Sequence, residues 1–278
     1  MPLIDDEGNL FGVVNVIDAL AVCLVVAVLI AGVAVVGVLG DGNGAAAPEG
    51  SSTNETGDDS QPATRYATID LGTQPDYLAA AIADGDRAVV DADGHNLTVT
   101  DVYTTPTSGG DEGHVVVRAR IDGEYPPEGG NETAFQLGDR SVRIGGDVTI
   151  DTADYELRGT VHQLEDDGTT LPTARTTVHL ESNVSATTAD AIETGDEYRF
   201  AGRTVATVTD VATTDLENSS KTAVELEADL VTIDRAGTKT FGGRALSTGS
   251  RITLRTERYD VGGELIRRGP SEPTDGTD

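Results

Sequence analysis

Apolar residues follow two different patterns along this chain. The first is a continuous run, Ala19–Leu39, which has 21 residues and no charged side chain. As a helix it would be roughly 31 Å long, enough to cross the core of a bilayer. The second pattern begins after residue 64, where short segments alternate Val, Ile, Leu and Thr with polar residues and are separated by glycine-rich breaks. The chain is therefore predicted to be mainly β, with an N-terminal transmembrane α-helix before the β region.

The alternating segments predict short strands. They are Leu97–Tyr103, His114–Ile121, Tyr155–Gln163, Thr204–Val211, Ala223–Thr232 and Tyr259–Leu265. Brief helical turns are predicted at Pro75–Ile82 and Ser185–Ile192, and no long amphipathic helix is expected outside the apolar run. Many short strands of this kind are typical of small β-barrels or sandwiches.

Four strings from the first half of the β region recur in the same order in the second half, about 104–110 residues later. The pairs are YATIDL (Tyr66–Leu71) with TTVHL (Thr176–Leu180), AIADGD (Ala81–Asp86) with AIETGD (Ala191–Asp196), LTVTDV (Leu97–Val102) with ATVTDV (Ala206–Val211), and DVTIDTADYELRGTV (Asp147–Val161) with RITLRTERYDVGGEL (Arg251–Leu265). This order predicts two homologous β-barrel or sandwich domains, residues 65–164 and 172–268, with the same strand order.

The remaining segments are assigned by composition. Residues 1–10 are predicted to be a short cytoplasmic N-terminus and residues 11–40 the transmembrane helix. Residues 41–64 are rich in Gly, Ala, Ser and acidic residues, so we expect a flexible linker, with a similar disordered tail at 269–278. A cleaved signal peptide is the alternative for the apolar run. The length of the run and the lack of a basic flank favour an uncleaved anchor.

Small residues recur every fourth position in the apolar run. Ala19, Cys23, Ala27 and Ala31 would share one face of the helix. Such a face permits close helix packing in membranes, so it is a candidate surface for a homo-oligomer.

The orientation of the anchor cannot be taken from basic residues, because none precedes Arg65. Asparagine gives another signal, since five of the six Asn after the apolar run lie in Asn-X-Ser/Thr. These candidate N-glycosylation sites are Asn54, Asn96, Asn131, Asn183 and Asn218. They predict that the C-terminal domains are extracellular and that the chain is a single-pass protein of the cell membrane. The threonine-rich composition is the competing explanation.

The excess of acidic residues makes nucleic acid an unfavourable partner for this chain. The chain has 19 Lys and Arg against 48 Asp and Glu, with a net charge of -29, which argues against nucleic acid. High charge also occurs in disordered chains. The alternating strands favour instead a folded protein adapted to high salt, because salt screens the repulsion between acidic groups. The composition resembles that of halophilic archaeal proteins.

The sequence contains no recognisable catalytic constellation. The four histidines, His95, His114, His162 and His179, do not occur at metal-ligand spacing, and the single cysteine excludes an intramolecular disulfide. We therefore predict no catalytic, cofactor-binding or metal-binding residue. Several Gly, Asp and Tyr recur in both repeats, and they indicate either a shared site or, more simply, turn formation and packing.

The string LIDDEGNLFGVVNVIDAL (Leu3–Leu20), followed at once by a single span, resembles the domain-of-unknown-function 4330 family. The AI-x-x-GD string and the GD-x-T-I…Y-x-L-x-GTV string are also similar to the β unit of that family. The resemblance implies one anchor with a small extracytoplasmic β unit, which this chain carries twice, and it implies no activity.

Together these features predict a non-enzymatic, membrane-anchored binding or scaffold protein of the cell envelope. Its partners would be the lipid membrane and another envelope protein or polymer. The alternative is an accessory enzyme, or an export or transport adaptor, that acts on envelope polymers.

Overall fold

A computed structural model describes residues 9–10, 14–15, 60–89, 96–107, 110–126 and 134–274. The chain divides into two compact units, Met1–Thr56 and Gly57–Asp278. In the first unit, β1 (Asn9–Leu10) pairs antiparallel with β2 (Val14–Asn15). β2 lies within the segment predicted to be the transmembrane helix.

The run Ala19–Leu39, with its small-residue face, lies outside the described residues. Among the residues that are described, no helix has both the length and the apolar character that a membrane span requires.

The second unit contains two antiparallel eight-stranded sheets, and each sheet is curled. The first sheet consists of β3 (Gln61–Pro75), β4 (Arg87–Val89), β5 (Asn96–Pro106), β6 (Glu112–Tyr125), β7 (Gln136–Leu137), β8 (Arg140–Ser141), β9 (Asp147–Asp151) and β10 (Glu156–Glu165). The second consists of β11 (Thr173–Ser185), β12 (Glu197–Phe200), β13 (Arg203–Asp215), β14 (Lys221–Arg235), β15 (Thr238–Phe241), β16 (Arg244–Ala245), β17 (Arg251–Arg255) and β18 (Asp260–Pro273). Helices α1 (Asp76–Ala81) and α2 (Ala186–Ala191) follow β3 and β11, where brief helical turns were predicted.

The two sheets have the same topology. The strand order is β4-β5-β6-β3-β10-β9 in the first and β12-β13-β14-β11-β18-β17 in the second. In each sheet a short hairpin also pairs with a long central strand: β7–β8 pairs with β6, and β15–β16 pairs with β14. The prediction of a mainly β fold is confirmed, and the shared strand order agrees with the sequence repeat.

The core of each sheet is built from aliphatic side chains at alternate positions. In β14, for example, every second residue from Thr222 to Leu230 is buried. Ile69 in the first sheet and Leu265 in the second are fully buried. Burying a side chain of this size stabilises the fold by about 1.5–3 kcal/mol. A one-residue slip in register would turn the whole set towards solvent, so the alternation fixes the pairing.

One of the four string matches is two residues out of register. Ile69 pairs with Val161, and Leu180 pairs with Leu265, which is the counterpart of Val161. Ile69 therefore corresponds to Leu180, whereas the match of YATIDL with TTVHL aligned it with Val178. Both strands carry an apolar residue at every second position, so a shift of two preserves the pattern and escapes detection in the sequence.

Two predicted boundaries also move. β3 begins at Gln61, so the last residues of the predicted linker belong to the sheet. β18 continues to Pro273, so the predicted disordered tail is strand over its first half. Polar side chains at both ends have partners on neighbouring strands: Ser60 donates to Glu124 over 2.8 Å, and Ser271 lies 2.9 Å from the hydroxyl of Thr176. A polar composition therefore did not prevent strand formation there.

Candidate functional site

The two sheets meet at a junction centred on a buried tyrosine. Tyr103 of β5 is 3% exposed, and its hydroxyl lies 3.1 Å from the carbonyl oxygens of both Val231 and Thr240. Its ring packs in one cluster with Val116, Ile233 and the connecting residue Leu171. Burial raises the pKa of Tyr103 well above its usual value, so the hydroxyl stays a neutral donor.

Three charged or titratable side chains and one backbone N–H surround the carboxylate of Asp70. Nε2 of His114 lies 3.0 Å from Oδ1 of Asp70, and Nε2 of His162 lies 3.4 Å from Oδ2. Arg235 of the second sheet also donates to Asp70, and the backbone N–H of Gly72 donates to it over 2.8 Å. Burial alone would raise the pKa of Asp70. Hydrogen bonds from His114 and Arg235 outweigh burial and hold that pKa well below its usual range.

Two β-bulges create this cluster. The ladder of β3 with β6 shifts register between Asp70 and Gly72, and the ladder of β10 with β3 shifts between Val161 and Gln163, which makes His162 the extra residue. A bulge turns a side chain away from the regular alternation of its strand. The two bulges lie on neighbouring strands and turn Asp70 and His162 towards each other.

The cluster links the two sheets, since Asp70 belongs to the first sheet and Arg235 to the second. Nδ1 of His114 is buried and has no hydrogen-bond partner in the described part of the chain, and Nε2 of the same ring faces Asp70. The half-exposed ring of His162 borders a cavity of about 190 Å³ that Thr68 and Arg235 also line. The hydroxyl of Thr68, which also lines this cavity, donates to Gln163 over 3.1 Å. No group of three or more potential metal ligands occurs among the described residues.

Further contacts distribute the junction over several strands. The backbone N–H of Gly242 donates to the hydroxyl of Thr105 over 3.0 Å, and that of Ala201 donates to Asp76 over 3.0 Å. The ring of Phe200 lies over Gly113 so closely that a Cβ there would come within 2.1 Å of a ring carbon. Gly113 is therefore required for close packing between the sheets.

The segment that connects the sheets is held by one buried arginine. Arg118 of β6 is 2% exposed and donates to the carbonyl oxygens of Asp167 and Gly168 over 2.9 and 2.8 Å. It also donates to Glu165 over 2.5 Å. At the end of the segment, the N–H of Leu171 donates to Asp101 over 2.6 Å. Sequence reasoning missed this role, because Arg118 occurs in an alternating strand where a charged residue normally faces solvent.

The repeated Gly, Asp and Tyr residues act in folding. Asp86 accepts hydrogen bonds from the N–H of Ala83 over 2.8 Å and from the hydroxyl of Tyr155 over 2.6 Å. In the second sheet, Asp196 accepts from the corresponding Tyr259. In the first sheet, Asp86 lies in the turn before the edge strand β4, and Tyr155 lies in the turn between β10 and β9, the strand at the other edge. Asp196 and Tyr259 have the same places in the second sheet, so each pair links the two edges of its sheet. These contacts support the interpretation of the repeated residues as structural.

Three of the five predicted glycosylation sites lie among the described residues. Asn183 is exposed on β11, and Asn218 is exposed in the turn between β13 and β14 with a positive φ of 58°. Asn96 is partly exposed on β5. Asn54 and Asn131 lie outside the described residues.

Comparison with known proteins gives one match. The model of the family described as Domain of unknown function (DUF4330) matches residues 1–108. The match covers the apolar run and, in the second unit, the segment from β3 to β5. It supports the resemblance seen in the sequence and ends within the first sheet. No curated protein and no solved structure matches the chain.

Proposed function

We propose that this chain is a non-catalytic binding or scaffold protein of the cell envelope, with a membrane anchor in residues 11–40 and extracellular β domains. The apolar run, the family match over residues 1–108 and the five Asn-X-Ser/Thr sites support this proposal. The observation that carries it is the junction, in which the titratable side chains are engaged with one another across two sheets.

A fixed arrangement of two domains suits a protein that positions a partner. The Asp70–Arg235 ion pair and the Tyr103 hydrogen bonds come from residues more than 120 positions apart, and they bind each sheet to the other. The Asp70 carboxylate is only 13% exposed and is engaged by Arg235 and His114, which supports a structural role for it. The acidic surface would keep such a protein soluble at high salt, and we take it as support for a halophilic origin.

One observation favours an accessory enzyme as the second candidate. His162 borders a cavity and lies close to Asp70, which is the pairing that orients a general base. An enzyme of this kind would lose its activity on envelope polymers when His162 is changed to Gln. The scaffold proposal expects His162→Gln to leave partner binding unchanged.

The experiment combines location with partner identification. The full chain, tagged at its C-terminus, is expressed in a halophilic host, treated in intact cells with a protease, and separately crosslinked, extracted in detergent and analysed by mass spectrometry. We expect the protease to remove the tag from intact cells and the crosslinks to contain envelope components. A tag that is protected until the cells are lysed would contradict the extracellular location. A crosslinked set consisting of cytoplasmic proteins would contradict the envelope role.

A further inference from the structure

A groove with two arginines that lack a carboxylate partner lies on the second sheet, and Pro106 and Thr107 of the first sheet border it. Phe241, Arg244, Leu246, Ser250, Arg251 and Thr253 line it, and we call it the arginine groove. Its volume is about 700 Å³, within the range of about 300–1,000 Å³ that small-molecule sites occupy. Phe241 and Leu246 are buried and form an apolar floor.

The charge of the arginine groove is opposite to that of the protein. Arg244 and Arg251 are exposed, and within the described ranges neither forms an ion pair or a side-chain hydrogen bond. No described Asp or Glu lines the groove. Eight other arginines of the second unit are paired with a carboxylate: Arg65, Arg118, Arg120, Arg158, Arg199, Arg235, Arg255 and Arg258. Arg244 and Arg251 differ from them in lining one concavity without such a partner.

The first sheet provides an internal comparison for this groove. The N–H of Gly145 donates to Val161 over 2.7 Å, and the N–H of Gly249 donates to Leu265 over 2.8 Å, so the two turns are equivalent. Counting on from these turns, Asp147 in the first sheet corresponds to Arg251 in the second. The acidic residue of one repeat is thus replaced by a basic residue in the other.

The partner of that acidic residue is lost at the same time. In the first sheet, Asp147 forms an ion pair with Arg158 over 2.6 Å. The counterpart of Arg158 in the second sheet is Gly262, and a Cβ placed there would lie 3.9 Å from Nε of Arg251. Gly262 therefore places no side chain beside Arg251. Glu264 is the ladder partner of Arg251 on β18, and both residues line a neighbouring depression together with Glu181 and Glu225. Glu264 forms no ion pair with Arg251 and does not line the arginine groove.

Two further positions that line the groove are more polar in the second sheet than in the first. The exposed Ile144 of the first sheet corresponds to Thr248, and Gly146 corresponds to Ser250. Both changes add a hydroxyl group next to the free guanidinium groups. The groove of the second sheet thus combines guanidinium groups, hydroxyl groups and apolar side chains. The corresponding place in the first sheet holds the Asp147–Arg158 ion pair.

We infer that the arginine groove binds an acidic oligosaccharide, a ligand with carboxylate or sulfate groups on a hydroxylated ring. A guanidinium group matches the geometry of such oxyanions with two parallel hydrogen bonds. Thr and Ser hydroxyls hydrogen-bond to sugar hydroxyls, and Phe241 and Leu246, which are 8% and 7% exposed, add a small apolar area to the lining. This inference rests on the proposed role in binding and names its ligand class.

The net charge of -29 sets the conditions under which this binding is expected. At about 0.01 M salt the Debye length is about 30 Å, so the whole acidic surface would repel an anion. At about 1 M it is about 3 Å, and only the groups that line the groove act on the ligand. Binding should therefore be measured in molar KCl.

The test is isothermal titration calorimetry on the full chain in detergent micelles at 2 M KCl. The ligands are trigalacturonate, a chondroitin sulfate tetrasaccharide, uncharged maltotriose and sodium sulfate. The variant Arg251→Asp with Gly262→Arg installs the ion pair of the first sheet in the groove. The matched control is Arg140→Gln, which changes the counterpart of Arg244 in the first sheet. Circular dichroism checks that both variants keep the β fold.

We expect at least one of the acidic oligosaccharides to bind, and the double variant to bind it at least about tenfold more weakly, since a charge-assisted contact is replaced by a repulsive one. Arg140→Gln should retain the affinity of the unmodified chain. Absence of binding to both acidic oligosaccharides, equal binding of maltotriose, or an unchanged affinity in a folded double variant would each overturn the inference. Sulfate ion that binds as tightly as the oligosaccharides would overturn the assignment of a saccharide.

The same titrations separate this inference from the proposed function. Cleavage of trigalacturonate, seen by chromatography after the titration, would contradict a non-catalytic role while leaving the arginine groove as its binding site. Failure of all acidic ligands to bind would remove the groove as a site, and envelope crosslinks would still support the scaffold role.

Discussion

Tyr103 in the first sheet and Ala212 in the second occupy equivalent positions, directly after the matched LTVTDV and ATVTDV strings. Across the ladder, Tyr103 pairs with Val116, and Ala212 pairs with Glu225. The first pair is buried in the junction, and the second is exposed. The same place in the same topology therefore carries a buried Tyr–Val pair where a sheet docks and an exposed Ala–Glu pair where it faces solvent.

The face of the second sheet that contacts Tyr103 is apolar, whereas its counterpart in the first sheet is acidic. Val231 and the buried Ile233 of the second sheet contact Tyr103, and their counterparts in the first sheet are Asp122 and Glu124. Each of the two docking faces thus occurs in only one repeat. The counterpart of each docking face in the other repeat carries acidic residues, so a further copy of the unit would find no apolar face to dock on. The comparison teaches that a duplicated β unit can be limited to two copies in this way.

Removal of the buried Tyr103 ring from the junction should have the largest effect on the free energy of unfolding. Tyr103→Ala gives the first sheet the residue of the second, removes a buried ring, and leaves two carbonyl oxygens without their donor. We expect a loss of about 3–5 kcal/mol in the free energy of unfolding, measured by denaturant titration at 2 M KCl. The control is Tyr77→Ala, whose ring is 76% exposed and should change stability by less than about 0.5 kcal/mol. Equal effects of the two variants would show that the junction does not stabilise the fold.

The junction carboxylate offers the second largest effect. Asp70→Asn should lower the free energy of unfolding at pH 7 by about 2 kcal/mol, since it removes charge-assisted hydrogen bonds to Arg235 and His114. The equivalent change in the second sheet, Glu181→Gln, alters an exposed residue and should have little effect. A similar loss in both variants would mean that the ion pair contributes nothing specific.

The same variant has a defined pH dependence. The pKa of Asp70 is lower in the folded chain than in the unfolded one, so its stabilising contribution is fully present above about pH 4. It is lost as the pH falls further and the folded carboxyl group takes up its proton. The difference between the unmodified chain and Asp70→Asn should therefore shrink in denaturant titrations between pH 4 and pH 2. A difference that grows over this range would contradict the assigned direction.

The elements of this fold were accessible from sequence to very different degrees. Strands such as β14 and the helical turns at α1 and α2 follow from local alternation and turn residues, and they were predicted. The register of β3 against β11 was not, because a period of two is unchanged by a shift of two. The junction could not be predicted, since Asp70 and Arg235 are 165 residues apart and each resembles an ordinary surface residue.

The closing tyrosines should give a smaller and graded difference. Tyr155→Phe removes one hydrogen bond to Asp86, and we expect a loss of about 1 kcal/mol. Tyr259→Phe should cost more, about 2 kcal/mol, because the hydroxyl of buried Tyr198 donates to Tyr259 over 3.2 Å and would lose its acceptor. Denaturant titrations of both variants at 2 M KCl measure the order. A larger loss for Tyr155→Phe would contradict this account of the second sheet.

The central claim is that the junction joins the two sheets into one cooperative unit. Differential scanning calorimetry of the full chain in detergent at 2 M KCl tests it directly, with Tyr103→Ala/Asp70→Asn as the comparison. We predict a single unfolding transition of the β region in the unmodified chain, with equal calorimetric and van't Hoff enthalpies, and two separate transitions in the double variant. Two resolved transitions in the unmodified chain, unchanged by the double substitution, would show that the sheets fold independently and would contradict the account.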